Sequence, residues 1–285
     1  MVLPGIDLGQ DPTISRSIPS SGEKLPAIGM GTWRTFDTNR QDELSIRRKI
    51  ISQLAEAGNR IIDSSPMYGL SEAVIGNTTN SLQNRSSFFL ASKVWTTGKQ
   101  QGIGQIQETF RYMKTETMDL MQVHNLVDVN THMKTLKDLK SQGKIRYIGI
   151  THYLSGAYDE MIRIIKSEKP DFVQCNYNIL SREAENKLIP AAFDAGCAII
   201  INRPFEEGRL FEYVKGKKIP DKLKDMGIHT WSAFFLKFIL SNPKVCFTIP
   251  ATSRPDHLLE NIAAGKGYLP TESERKNMIS IFENW

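Results

Sequence analysis

Short apolar runs alternate with amphipathic stretches along the chain. The runs occupy residues 27–30, 60–62, 88–91, 119–123, 145–150, 172–175, 198–201 and 246–249, each of strand length and nearly continuous in apolar character. A strand that is apolar on both faces belongs to a parallel sheet covered by helices, because an antiparallel sheet with one wet face would show alternation. The stretches between the runs carry apolar residues at helical spacing and predict helices over 42–57, 71–81, 103–113, 132–142, 156–168, 184–195, 231–240 and 255–264. Gly58, Gly143 and Gly196 stand just beyond three of these, where a left-handed residue commonly closes a helix.

Most runs start roughly 30 residues after the one before, the length of one strand–helix unit. Eight such units in series predict an α/β fold of the (β/α)8 TIM-barrel type. At 285 residues the chain exceeds the roughly 250 typical of that fold, and the surplus is readable. Residues 1–16 read as an extended N-terminal segment, and 17–27, around Ser20-Ser21-Gly22, as a hairpin plugging the bottom of the barrel. The long interval 203–227, after the seventh run, reads as a loop over the mouth, and 271–285 as a C-terminal helix. The whole chain, 1–285, reads as one domain.

Composition narrows the function classes. Apolar residues make up 40% and charged residues 24%, the balance of a globular protein. No stretch approaches the roughly 18 apolar residues of a membrane span, and the N-terminus is polar where a secretory signal needs an apolar core. The expectation is a cytoplasmic protein with no membrane partner. An excess of 36 basic over 31 acidic residues gives +5, but no run concentrates it, so nucleic acid is not an expected partner. Cys175, Cys197 and Cys246 lack metal or disulfide spacing and read as reduced core thiols, with no metal site. His132 and His229 read as surface residues.

In a barrel of this kind chemistry sits at the C-terminal ends of the strands, and those positions are polar here. Asp63 follows the second run with Tyr68 five residues on, Lys93 ends the third, and His124 ends the fourth. A tyrosine hydroxyl, with an ordinary pKa near ~10, donates a proton poorly at neutral pH, and a nearby ammonium favours its phenolate. Lys93 supplies that charge, and Asp63 keeps the lysine charged and oriented. A carbonyl held between the Tyr68 hydroxyl and a His124 N–H is polarised for attack at carbon.

With these residues in this order, the sequence resembles the aldo-keto reductases over nearly its whole length. The matching segments are Ile28-Gly29-Met30-Gly31-Thr32-Trp33, Asp63 to Tyr68, Ser92-Lys93-Val94-Trp95, Gln122-Val123-His124, Ile249-Pro250 and Leu259-Glu260-Asn261. The resemblance implies hydride delivery from NADPH to an aldehyde or ketone, Tyr68 as general acid, Lys93 and Asp63 as its tuning pair, His124 orienting the carbonyl, and no metal. It implies a cofactor site from Gly31, Thr32, Trp33 and Asp63, from Thr151 and His152 where the family usually has Ser-Asn, and from Gln174 on the nicotinamide carboxamide. Asn202 stands where many members stack a tyrosine on the nicotinamide, so that Arg203 or Phe205 would have to compensate or the ring is held by fewer contacts; Pro204 between them also belongs to the expected cofactor site. Gly208 and Arg209 would cover the pyrophosphate, and Glu260 and Asn261 would hold the adenine.

One departure concerns the adenosine 2′-phosphate. The family's usual lysine and arginine are here Ala251 and His257, which leaves Thr252, Ser253 and Arg254 before a helix opened by Pro255. A helix N-terminus offers free N–H groups to an anion, and Arg254 supplies a bidentate contact. The expectation is therefore NADPH over NADH, by a reduced margin. Substrate contacts are expected from Trp33, Met67, Trp95, Asn125 and Tyr153, around a permissive mouth open to many small carbonyl compounds, in a monomeric enzyme. Two other readings compete: a cofactor-binding regulatory or scaffold protein with slow turnover, and a lyase using Lys93 as a Schiff base. Asp63 argues against the second by keeping Lys93 charged.

Overall fold

A computed structural model describes residues 11–83 and 85–284. The chain opens with a hairpin, β1 (Ser15–Ser17) and β2 (Lys24–Pro26), paired antiparallel from Ser15↔Pro26 to Ser17↔Lys24. All eight apolar runs then contain strands: β3 (Met30–Gly31), β4 (Ile61–Asp63), β5 (Phe89–Val94), β6 (Met118–His124), β7 (Ile145–His152), β8 (Phe172–Asn176), β9 (Ala198–Asn202) and β10 (Phe247–Thr248). They form one parallel sheet in sequence order. The sheet closes on itself through Ile28↔Thr248 and Gly31↔Ala251. At this seam Gly29 N donates to Thr248 O at 2.9 Å and Gly31 N to Pro250 O at 3.2 Å. Gly31 has no room for a side chain, since a methyl group there would sit 2.7 Å from the Ile249 carbonyl oxygen.

Side chains of alternate strand positions fill the interior in layers. The lowest is apolar and largely aromatic: Phe89, Tyr147, Phe172 and Phe247 pack with Ile18 and Leu25 of the hairpin. The Tyr147 hydroxyl meets Ser21 Oγ at 2.7 Å and Glu23 Oε2 at 2.6 Å, which fastens the hairpin beneath the barrel. Above this layer polar side chains enter: Gln122 on β6, Gln174 on β8, Asp63 at the end of β4 and Lys93 one residue before the end of β5. Gly149 on β7 makes room for the polar set, since a Cβ there would meet Gln122 Cγ at 3.0 Å.

The outer shell consists of α1 (Gln41–Glu56), α2 (Ser71–Asn80), α3 (Lys99–Met113), α4 (Val129–Ser141), α5 (Tyr158–Glu168), α6 (Glu183–Asn186), α7 (Leu188–Asp194), α8 (Arg209–Tyr213), α9 (Asp221–Lys224), α10 (Trp231–Leu240), α11 (Pro255–Ala264) and α12 (Glu272–Glu283). The predicted helix 184–195 is two pieces, broken at Lys187 (φ −134°, ψ −67°). Pro190 explains the break: a continuous helix would set its ring against the carbonyl of Asn186, whereas a restart places it in a first turn that needs no N–H. The segment 203–227 is not an open loop but carries a 3-10 turn (Glu206–Gly208), α8 and α9. His132, expected at the surface, is buried, with Nε2 at 2.7 Å from the Thr96 carbonyl; Gly102 of α3 leaves the slot its ring fills. Residues 1–10 of the expected extended segment, and Trp285, lie outside the described residues. Thr271 and Glu274 form a reciprocal capping box that starts α12.

Candidate active site

Register brings the polar strand ends to one level. Gly31 pairs with Asp63, Asp63 with Ala91, Lys93 with Gln122, His124 with Thr151, and Thr151 with Gln174. Asp63 and Lys93 meet as an ion pair, Nζ to Oδ2 at 2.6 Å, both almost wholly withdrawn from solvent. Lys93 Nζ also donates to the Ser64 carbonyl at 2.5 Å, and Gln122 Nε2 donates to the other Asp63 oxygen at 3.3 Å and to Gln174 Oε1 at 2.8 Å. Thr32 Oγ1 donates to the Asp63 carbonyl or the Ser64 hydroxyl, each at 3.0 Å.

Burial pushes each member of the pair toward its neutral form. At Asp63 that effect carries the carboxyl upward against the pull of Lys93, Gln122 and Gln174. At Lys93 burial is outweighed by Asp63, Tyr68 and Glu72, and the ammonium is held. The lysine direction governs the pair, because a fully buried ammonium with a carboxylate and a carbonyl as partners has every reason to keep its proton.

Tyr68, half-buried, lies on the loop between β4 and α2, where its N–H bonds the Ser65 carbonyl at 3.0 Å. Lys93 Nζ stands 5.2 Å from the centre of its ring. Burial raises the Tyr68 pKa, while the Lys93 charge and hydrogen bond pull it down; the net direction is up. His124 packs edge-on to Tyr68, ring centres 6.0 Å apart at 84°. Burial first, then Lys93 and His152, lower its pKa to about 2, so the imidazole is neutral across the physiological range. Its Nδ1 lies 3.0 Å from Ser65 Oγ.

The expected substrate contacts form a rim. Trp33 is half-buried beneath the Arg34 guanidinium, 4.2 Å away. Met67, Trp95 and Tyr153 are exposed, and Trp95 lies 6.4 Å from His124, ring to ring. Asn125 has φ 50° and turns the chain directly after His124. Tyr153 stacks on His152 at 5.6 Å, and His152 Nδ1 accepts from Leu154 N at 3.1 Å.

On the expected cofactor side, Thr151, Gln174, Pro204 and Thr252 are buried. Asn202 Oδ1 and Arg203 Nε are buried without a partner. Arg203 is otherwise committed to Glu206 at 2.9 Å and Glu207 at 3.3 Å, and Phe205 packs against Phe211 and Phe235. Both side chains therefore already hold protein partners. Glu206 accepts from Asn176, Asn178 and Arg203, while Arg34 reaches Glu207 at 3.0 Å from the opposite loop. Gly208 adopts φ 94°, and Arg209 is exposed beside Tyr213. Glu260 accepts from Ser232 at 3.0 Å, and Asn261 is buried. Ala251, Ser253 and Arg254 are exposed before α11, whose first turn has no side-chain cap. Arg254, expected to contact the phosphate, is held in a fork by Asp256, at 3.1 Å and 2.5 Å.

Sequence reasoning assigned no role to Arg34, Ser64, Ser65, Gln122 and Glu206. Gln122 had a signal, since it lies two residues before His124 and so shares its inward face. The serines had none, because their contacts arise from a loop.

The Aldo/keto reductase family model matches residues 27–276, and the chain belongs to this family. It is 26% identical over 314 residues to the aldo-keto reductase YhdN of Bacillus subtilis, covering 94% of this chain and 93% of that protein. It is also 26% identical over 258 residues to the methylglyoxal reductase YeaE of Escherichia coli, covering 87% and 88%. Among solved structures, the aldo-keto reductase of Klebsiella pneumoniae in complex with NADPH superposes with a TM-score of 0.77 at 21% identity, over 96% of each chain. No helix among the described residues is long and apolar enough to cross a membrane.

Proposed function

We propose that the protein reduces the carbonyl group of small aldehydes or ketones with NADPH, using Tyr68 as the general acid. The observation that carries this reading is the placement of Lys93 between the Asp63 carboxylate and Tyr68, with a neutral His124 beside them. A substrate oxygen between Tyr68 and His124 receives two hydrogen bonds, and both strengthen as negative charge grows on it. Tyr68 then gives up its proton, and the Lys93 ammonium stabilises the phenolate left behind. Asp63 acts on the acid through Lys93, so it is a positioning residue.

The residues present fit a nicotinamide dinucleotide. Asn202 Oδ1 is a buried acceptor still lacking a donor, and Gln174 and Thr151, which pair with each other on β8 and β7, are buried as well. The N-cap residue Arg254 makes no side-chain bond to the first turn of α11, and a helix start of this kind suits an anion. When bound, the cofactor would supply the hydride. NADPH is favoured by Arg254 and by the NADPH complex of the related Klebsiella structure, and the Asp256 fork on Arg254 reduces the margin. NADPH consumption with a panel of small aldehydes tests the reading. Turnover should be present in the wild type and absent in Tyr68→Phe, which still binds NADPH; undiminished turnover in that variant rejects it.

A further inference from the structure

We propose that Ser65 is a positioning residue that sets the tautomer of His124: its hydroxyl donates to Nδ1, leaving the imidazole proton on Nε2. The inference deepens the reading of His124 as the carbonyl-orienting group and rests on it. Ser65 Oγ and His124 Nδ1 lie 3.0 Å apart, and both residues are buried. Ser65 Oγ also accepts from the Met67 N–H at 3.4 Å. Among the described residues, Nδ1 is the acceptor that the Ser65 hydroxyl meets.

The direction of that hydrogen bond follows from satisfaction of donors. If Nδ1 carried the proton, the imidazole would donate to Ser65 Oγ and the serine's own proton would be buried with no acceptor, an arrangement folded proteins avoid. If Ser65 donates instead, both groups are satisfied and Nε2–H is the donor left for another partner. Burial is the first effect that opposes protonation of both nitrogens. Lys93 and His152 contribute like charge, and Tyr68 and Trp95 flank the imidazole with aromatic rings. The neutral ring therefore has two tautomers to choose between, and a single hydroxyl decides.

The backbone gives this contact its precision. Asp63, Ser64 and Ser65 are consecutive: the first pairs with Lys93 through its carboxylate, the second through its carbonyl, and the third holds His124. One short segment thus anchors the acid's lysine and the opposing imidazole together. Pro66 and the Tyr68 N–H bond to the Ser65 carbonyl fix its turn.

The test is nitrogen-15 NMR of the full chain labelled at its 5 histidines, with the His124→Gln spectrum used to assign the His124 resonances. The wild type should show Nδ1 as an unprotonated, hydrogen-bonded nitrogen and Nε2 as protonated, in the absence of any substrate. Ser65→Ala should populate the Nδ1–H form and lower kcat about a hundredfold, the lower end of what a positioned proton donor contributes, with NADPH affinity by fluorescence quenching unchanged. A proton on Nδ1 in the wild type, or a Ser65→Ala spectrum identical to it, overturns the proposal. Failure of the reductase reading shows differently, as turnover surviving Tyr68→Phe, and leaves the tautomer measurement standing.

Discussion

Lys93 Nζ lies 2.6 Å from Asp63 Oδ2, and neither side chain has meaningful access to water. A buried pair costs more to break than to remove whole. Asp63→Asn should therefore destabilise the protein by about 3 kcal/mol, because it strands the ammonium. The double variant Asp63→Asn/Lys93→Met should recover part of that loss while remaining inactive. Urea denaturation beside initial rates checks both halves; a double variant no more stable than Asp63→Asn would mean that the pair's surroundings, not its charge, set the cost.

His124 carries a pH signature. Its pKa is about 2 in the folded chain, against roughly 6.5 when unfolded. The unfolded state thus binds the extra proton first as pH falls, so this group's contribution to stability is complete above about pH 6.5 and is lost progressively below it. Chemical denaturation from pH 7 to pH 4 should show a falling midpoint, with a shallower fall in His124→Gln. Equal slopes in the two proteins would contradict the burial of a neutral imidazole.

The same groups shape the rate profile. Burial outweighs Lys93 in setting the Tyr68 pKa, and the net direction is upward, so the acid stays protonated to the alkaline side of an ordinary tyrosine. With His124 uncharged throughout, kcat/KM for reduction should cross the region near pH 6.5 without an inflection from this histidine. A bell centred there would assign the acid to another residue.

Asp256 should restrain cofactor choice. Its carboxylate forks onto Arg254, the one arginine in the loop leading into α11, and it places a negative charge beside the expected phosphate position. Asp256→Asn should tighten NADPH about fivefold, the scale of an exposed ion pair, and change NADH less than twofold by the same reasoning. Arg254→Ala should weaken NADPH alone. Titration of both cofactors against both variants gives the comparison, and parallel changes for the two cofactors would remove Arg254 from phosphate recognition.

Much of this was legible before any coordinates. Every apolar run contains a strand because inward and outward faces of a covered parallel sheet are both apolar, a pattern that survives without homologues. Asp63, Lys93 and His124 lie at or beside strand ends, where a barrel's sequence can be read, and Tyr68 follows Asp63 by five residues. What stayed hidden depends on loops and on exact packing. Pro190 was visible yet its effect on the helix was missed, and His132 looked exposed because the slot left by Gly102 is a feature of two helices together. The Asp256 fork on Arg254 is a choice between rotamers, which spacing along a chain does not encode.

The seam between β3 and β10 has a consequence for biosynthesis. Ile28 and Gly31 wait for Thr248 and Ala251, so the first barrel strand, β3, finds its second neighbour only when the last has been made. Until then the nascent sheet has two open edges, the kind of surface that recruits other chains. Polypeptides released short of residue 246 would carry all four residues of the proposed chemistry and still lack a closed mouth. They should appear as aggregates and not as weak enzymes.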